Sequence, residues 1–266
     1  MTSNIMIDFS KKAIVFITGA SRGIGRTLAI EICRKLKQSS ILVLIARSKA
    51  GLEETKFHIG EINKSVHVDT VSLDLSKPDI NEYNDVFKKV LSNINTEDVK
   101  TGIIFHNAGH VATIKQTTDL TDLAVWRKFY DMNLFSCVLL NNVFIKSLRP
   151  VVPKLVVINI TSLTGHVPLK NLSMYGSGKA ARELFFKVLA LEEPNIIVLN
   201  YSPGPVDTDM FHYIAETAQS EDLRQSFNDI KNTIILTTIK TVNRMLNVLE
   251  KGDYKSGDTV DFYDRL

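Results

Sequence analysis

Tyr175 and Lys179 stand four residues apart in a stretch of helical periodicity, so their side chains share one face. Ser162 lies thirteen residues before the tyrosine, just past the apolar run Leu155–Ile160. These residue types suit the reduction of a carbonyl by hydride. Such a reduction leaves an alkoxide that must gain a proton, and a positioned tyrosine can deliver it. The serine hydroxyl can donate to the carbonyl oxygen as negative charge develops there. Tyrosine has a reference pKa near 10, and lowering it to about 7 takes about 4 kcal/mol. One ammonium at about 4 Å, in an effective dielectric near 20, supplies a similar amount. The expectation is therefore a tyrosine whose acidity is raised by Lys179. Tyrosine and lysine also fall at this spacing by chance, and serine is a common turn or N-cap residue. The three need a frame that brings them together.

A second constellation supplies part of that frame. The run Thr18-Gly19-Ala20-Ser21-Arg22-Gly23-Ile24-Gly25 joins an apolar strand-like segment to a helix-like one. A dinucleotide's pyrophosphate must come close to a helix N-terminus, where free N–H groups and the helix dipole meet its charge. Glycine permits the tight turn and the close backbone approach. The end of the second strand then selects the cofactor. NAD sites place an acid about 20 residues beyond the loop, whereas NADP sites use arginine. Here the strand ends at Arg47-Ser48-Lys49 and the first acid is Glu53. Arg22 and Arg47 form a clamp suited to a 2′-phosphate, which points to NADPH/NADP+. Asp74, after the third strand, suits the adenine amino group.

The elements that must position these groups alternate along the chain. Strands are expected at Ala13–Ile17, Ile41–Ala46, Val66–Val71, Gly102–Phe105, Leu155–Ile160, Ile196–Asn200 and Thr259–Phe262. Helices are expected at Ile24–Leu36, Gly51–Ile62, Ile80–Ile94, Thr121–Leu148, Ser173–Glu193 and about Glu221–Glu250. Several strands are apolar on both faces, as a parallel sheet covered on each side requires. The predicted class is α/β: a single Rossmann-like domain over residues 1–266, with a doubly wound parallel sheet of about seven strands and helices on both faces. The polar stretch from Pro203 to Ser226 reads as a mobile lid.

Composition narrows the remaining classes. With 32 basic and 29 acidic residues and a formal net charge of +3, nothing favours nucleic acid or an anionic membrane. No apolar run approaches the length of a bilayer span, and no secretory leader is expected at Met1–Lys12. Cys33 and Cys137 are far apart and read as small core residues, which suits a cytoplasmic protein. His106 and His110 flank a strand-to-loop turn without a third ligand, so no metal site is expected. Trp126 and Phe129 read as packing residues.

Taken together, the loop 18–25, His106-Asn107-Ala108-Gly109, Ser162, Tyr175-Gly-Ser-Gly-Lys179 and Pro203-Gly204 resemble the short-chain dehydrogenase/reductase family over essentially the whole chain. His106 departs from that pattern, which more often has asparagine before Asn-Ala-Gly. The resemblance implies that Asn133 completes a proton relay with Ser162, Tyr175 and Lys179. It implies that Leu75, Asn107, Ala108 and Gly109 line the cofactor, together with Pro203, Gly204, Val206, Thr208, Asp209 and Met210. A narrower resemblance covers Gly25–Ala29, Gly178–Arg182, Ala190–Met210 and Lys255–Asp264. It is to the branch that reduces pterin side-chain ketones, and it implies a pterin substrate held by Ser162, Tyr175, Gly204 and Asp261. It also implies a homodimer built on the two long helices 121–148 and 173–193. A broad dicarbonyl or quinone reductase and a non-catalytic NADPH-binding regulator remain compatible with the chain, although a pure binder has no need of all four relay residues.

Overall fold

Seven parallel strands form one sheet in the order β3-β2-β1-β4-β5-β6-β7 in the computed structural model, which describes residues 5–265. They are β1 (Ala13–Thr18), β2 (Ile41–Ala46), β3 (His67–Ser72), β4 (Thr101–His106), β5 (Lys154–Ile160), β6 (Ile196–Ser202) and β7 (Thr259–Asp261). The four residues before Ile5, and Leu266, lie outside the described residues, as does that part of the expectations made for Met1–Lys12 and for a domain over 1–266.

Alternation along the strands divides the core. On β1, Val15 and Ile17 face one layer, and Ile14 and Phe16 the other. The first layer holds α1 (Gly23–Lys35), α2 (Lys49–Ile62) and α9 (Thr238–Lys251). The second holds α3 (Ile80–Ser92), α5 (Ser136–Leu148) and α6 (Ser173–Glu192), with Phe16 stacked on Phe87 at 4.7 Å. β1, β2, β4 and β6 are buried on both faces, which explains why each carries an apolar run of three or more residues. Strand order reverses between β1 and β4, the switch point beyond whose carboxyl ends open α/β sheets bind their ligands.

Three expectations are corrected. The helix expected at 121–148 is interrupted: α4 (Leu123–Tyr130) passes into a π-helical turn, Asp131–Phe135, before α5. The helix expected at 221–250 splits into α8 (Glu221–Thr233) and α9. The intervening segment pairs with the chain after β6: Leu236 N–H donates to Pro205 O at 2.8 Å, and Asp207 N–H donates to Leu236 O at 2.8 Å. Finally, the polar stretch 203–226 is structured. It contains α7 (Asp209–Thr217), whose Phe211 and Ile214 are buried, and Ile214 packs in a third cluster with Phe129 and Tyr175.

Candidate active site

The loop after β1 meets the requirements of a phosphate cradle. Gly19 has φ +70, and a Cβ there would lie 2.9 Å from Asn107 Nδ2. At Gly25 a Cβ would sit 2.2 Å from Gly19 O, so no side chain fits where α1 crosses the loop. Gly23, also at positive φ, faces Thr208. Arg22 occupies the N-cap of α1 without capping it, whereas Ser48, Asp79, Asp122, Thr208, Ser220 and Thr237 each cap their helices with side-chain oxygens. The N–H groups that open α1 thus remain available to an anion. Ala20 and Ser21 continue the loop, and Ile24 packs onto the core beneath it. These residues fit a dinucleotide's pyrophosphate.

The two arginines stand at this mouth with different partners. Arg22 Nη1 lies 2.5 Å from Asp209 Oδ2, an exposed ion pair that ties the loop to the start of α7. Arg47, just past β2, is exposed, with Nε 3.9 Å from Asp74 Oδ1. Ser48 caps α2 by accepting from Gly51 N–H, and Asp74 accepts from the N–H and hydroxyl of Ser76. Leu75 is buried, and its carbonyl accepts from Ser136 Oγ.

Farther along the same edge, the loop after β4 is pinned from several sides. Asn107 N–H and Ala108 N–H both donate to Thr18 Oγ1 at 3.0 Å. His110 N–H donates to Asn133 Oδ1 at 3.0 Å, while Asn133 Nδ2 donates to Phe129 O. A Cβ at Gly109 would approach Asn133 Oδ1 to 2.9 Å. Asn133 lies within the π turn, a local widening of the helix that often marks functional sites.

Ser162, Tyr175 and Lys179 come together between β5 and α6. Ser162 caps the short turn Leu163–Gly165, its Oγ accepting from Thr164 N–H at 3.3 Å and Thr164 Oγ1 at 3.0 Å. Its own proton stays available for donation. Tyr175 is 9% exposed and shares a hydrogen bond with Ser162. Lys179 donates to Ile160 O at 2.7 Å, with Nζ 5.6 Å from the Tyr175 ring centroid. Burial pushes the Tyr175 hydroxyl up to about 12, against the pull of Ser162 and of the Arg182 guanidinium. Burial, reinforced by Arg182, holds Lys179 well below the ordinary lysine range. The expectation of a tyrosine made acidic by Lys179 is therefore corrected: burial sets the direction of the shift, and the opposing pull comes from Ser162 and Arg182. A tyrosine that keeps its proton at neutral pH suits a proton donor better than a base.

The nicotinamide-end residues predicted from sequence follow β6. Pro203 O accepts from Thr241 Oγ1, and Gly204 has φ +73 with Leu236 and Tyr263 close around it. Val206 bridges to Leu236, Thr208 caps α7, Asp209 holds Arg22, and Met210 packs in the third cluster. At the end of β7, Asp261 pairs in register with Ser202. Its Oδ2 accepts from Ser202 Oγ at 2.6 Å and its Oδ1 from Tyr263 N–H at 3.0 Å. Sequence reasoning missed Arg182 and Glu183, two charged residues on the buried face of α6. Glu183 accepts from Thr161 Oγ1 and Thr259 Oγ1, joining the approach to Ser162 to the strand that carries Asp261. Their spacing from Tyr175 and Lys179 was the available signal. Among the described residues, no group of three or more His, Cys, Asp or Glu is placed to hold a metal ion.

A doubly wound sheet, an open glycine cradle and a serine–tyrosine–lysine set at one strand edge define a nicotinamide-dependent reductase or dehydrogenase. Residues 13–219 match the short chain dehydrogenase family, and the chain belongs to this family of oxidoreductases. Members of this family bind a nicotinamide cofactor. Among curated proteins it is 34% identical to sepiapterin reductase of Xenopus laevis over 252 residues, covering 93% of this chain and 94% of that protein. It is 33% identical to sepiapterin reductase of Bos taurus, covering 95% of each. Levodione reductase shares the fold, with a TM-score of 0.79 at 21% identity over 95% of this chain and 96% of that one.

Proposed function

We propose that this enzyme is an NADPH-dependent reductase of pterin side-chain ketones. Its reactions would be the reduction of sepiapterin to 7,8-dihydrobiopterin and of 6-pyruvoyl-tetrahydropterin to tetrahydrobiopterin. The observation that carries this reading is Asp261, a carboxylate at the carboxyl end of β7, beside the Ser202–Gly204 segment. Likeness to sepiapterin reductases along nearly the whole chain supports it.

When bound, the cofactor supplies the hydride. The protein's own groups do the rest. The Gly19–Gly25 cradle takes the pyrophosphate, and Arg22 with Arg47 takes the 2′-phosphate. Exposed ion pairs contribute little, so Arg22 exchanges Asp209 for a phosphate at low cost. Ser162 donates to the ketone oxygen, Tyr175 delivers the proton, and Lys179 and Asn133 continue the relay. Closely placed donors of this kind act through preorganised charge stabilisation.

Steady-state kinetics test the reading. Sepiapterin should be reduced with a kcat/KM well above that of a simple diketone. NADPH should surpass NADH by about tenfold or more, because each charged hydrogen bond to the 2′-phosphate contributes about 1.5–3 kcal/mol. Arg47→Ala should narrow that gap mainly by weakening NADPH. Equal use of the two cofactors by the unaltered enzyme would remove the arginine clamp from the assignment. A diketone preferred to sepiapterin would favour a broad carbonyl reductase.

The same reading includes a cytoplasmic homodimer. Among the described residues no helix is long and apolar enough to cross a membrane, and both cysteines are buried and unpaired. An apolar groove lined by Leu134, Phe135, Val138, Leu139, Ala181 and Phe185 runs between α6 and the π turn with the start of α5. On the same α6 surface Leu184 is 64% exposed and Leu191 82%. A patch of this kind on a soluble enzyme fits a second copy of the chain. Sedimentation at micromolar concentration should give the mass of two chains, and a single-chain mass would exclude this dimer.

A further inference from the structure

Arg182 is the largest fully buried side chain among the described residues. It lies three residues beyond Lys179 and seven beyond Tyr175, on the same face of α6. Among the described residues no carboxylate forms an ion pair with it. The neighbouring Glu183 turns instead to Thr161, Thr259 and Lys187. The guanidinium spends its donors on neutral acceptors: Nε on Asn159 Oδ1 at 3.0 Å, Nη1 on Ala108 O at 3.1 Å and Nη2 on His106 O at 2.7 Å. Buried charges are ordinarily paired, so an unpaired one kept beside a reaction site calls for a use.

We propose that Arg182 is a positioning residue: it fixes the path of loop 106–109 along the cofactor groove and sets how readily the Tyr175–Lys179 pair releases a proton. This rests on the reductase reading above. The first effect follows from geometry. Arg182 draws the carbonyls of His106 and Ala108 inward, while Thr18 holds the N–H groups of Asn107 and Ala108 from the other side. The bonding continues across the sheet, from Asn159 Nδ2 to Asn200 Oδ1 at 2.9 Å and from Asn200 Nδ2 to Gly257 O at 3.3 Å. One side chain therefore ties the cofactor loop to the turn that precedes β7.

The second effect follows from charge. The titratable groups facing Arg182 are His106 on β4, Cys137 on α5, and Tyr175 and Lys179 on α6. Burial, with Arg182 second, holds His106 down to about 3, and burial pushes the Cys137 thiol up. Neither contributes a charge near neutral pH. The cavity beside the guanidinium measures about 10 Å³ and is lined by Thr18, Met132 and Cys137 among others, which leaves room for about one water. With so little solvent to screen it, the fixed cation lowers the proton affinity of both Tyr175 and Lys179.

Arg182→Gln and Arg182→Lys in the full-length enzyme separate the two effects. The relay requires a protonated Lys179 behind the donor. Held well below the ordinary lysine range, Lys179 loses its proton before Tyr175 does, so kcat/KM falls as pH rises through the lysine's apparent pKa. Loss of the cation in Arg182→Gln should move that alkaline limb to higher pH by about one unit or more. Arg182→Lys keeps the charge and loses the fork. Its limb should stay at the wild-type position while NADPH binding, read by cofactor fluorescence, weakens by about tenfold. A purely structural role would lower rates at every pH and leave the limb in place. An unmoved limb in Arg182→Gln, or an equal shift in Arg182→Lys, overturns the proposal. If the glutamine variant does not fold, Arg182→Lys decides by itself: a limb that moves, or NADPH binding that is unchanged, overturns the proposal. A wild-type enzyme that binds NADPH but reduces no ketone would sink the reductase reading itself, whereas an active wild type with unmoved limbs sinks only the role of Arg182.

Discussion

Tyr175→Phe is expected to fold, to bind NADPH as the unaltered enzyme does, and to lose turnover by about 10²–10⁴. The ring stays where it packs, in the cluster with Phe129, Leu172 and Ile214, so little stability is at stake. Ser162 also retains its bonds from Thr164 when the tyrosine hydroxyl is removed. Only the proton is lost. Because burial raises the Tyr175 hydroxyl to about 12, the group is protonated throughout the neutral range and loses this capacity only as pH climbs toward that value. Cofactor oxidation under saturating ketone, alongside NADPH binding by fluorescence, measures both quantities. Near-normal reduction of every ketone tried would show that Tyr175 is not the donor. Lys179→Ala should differ in kind. It removes a buried ammonium that anchors Ile160 O, so turnover and cofactor affinity should fall together.

The second large effect is expected at Asp261. A pterin presents a 2-amino group and an N3–H side by side, and a carboxylate accepts both through parallel hydrogen bonds. In the structure Asp261 already accepts from Ser202 and Tyr263 N–H, one bond to each oxygen, which holds the carboxylate in a fixed orientation. Two oxygens offer about four lone-pair sites, so capacity for the pterin pair remains. Asp261→Asn should lower kcat/KM for sepiapterin by about 10² or more, since a bond to a charged partner contributes about 1.5–3 kcal/mol. A small diketone without the donor pair should be reduced nearly as before. Equal losses on both substrates would make Asp261 a structural residue, holding Ser202 and the turn at Tyr263. No loss on either would place the pterin elsewhere.

Much of this architecture was legible in the residues alone, and the legible parts share a physical origin. The central strands could be found because burial on both faces demands apolar runs such as Ile41–Ala46, a requirement that acts within six residues. The glycine cradle could be found because Gly19 and Gly25 satisfy local steric limits that no other residue meets. The meeting of Ser162 with Tyr175 and Lys179 followed from strand direction, since the carboxyl ends of parallel strands share one edge. Other features depended on distant partners. The π turn around Asn133 is marked by no glycine or proline in 121–148, and Asn133 bonds His110 N–H from another loop. The break between α8 and α9 arises because Leu236 pairs with Pro205 and Asp207, some thirty residues earlier. The acidity of Tyr175 was misjudged for the same reason. A four-residue spacing reveals a neighbouring lysine, but the desolvation that raises the tyrosine exists only once α6, β5 and the loops around them have excluded water. Arg182 is the sharpest case: in sequence it is one more charge on a helix. Only the folded chain turns it inward, where carbonyls from β4 and its following loop and an amide from β5 take the place of a counter-ion.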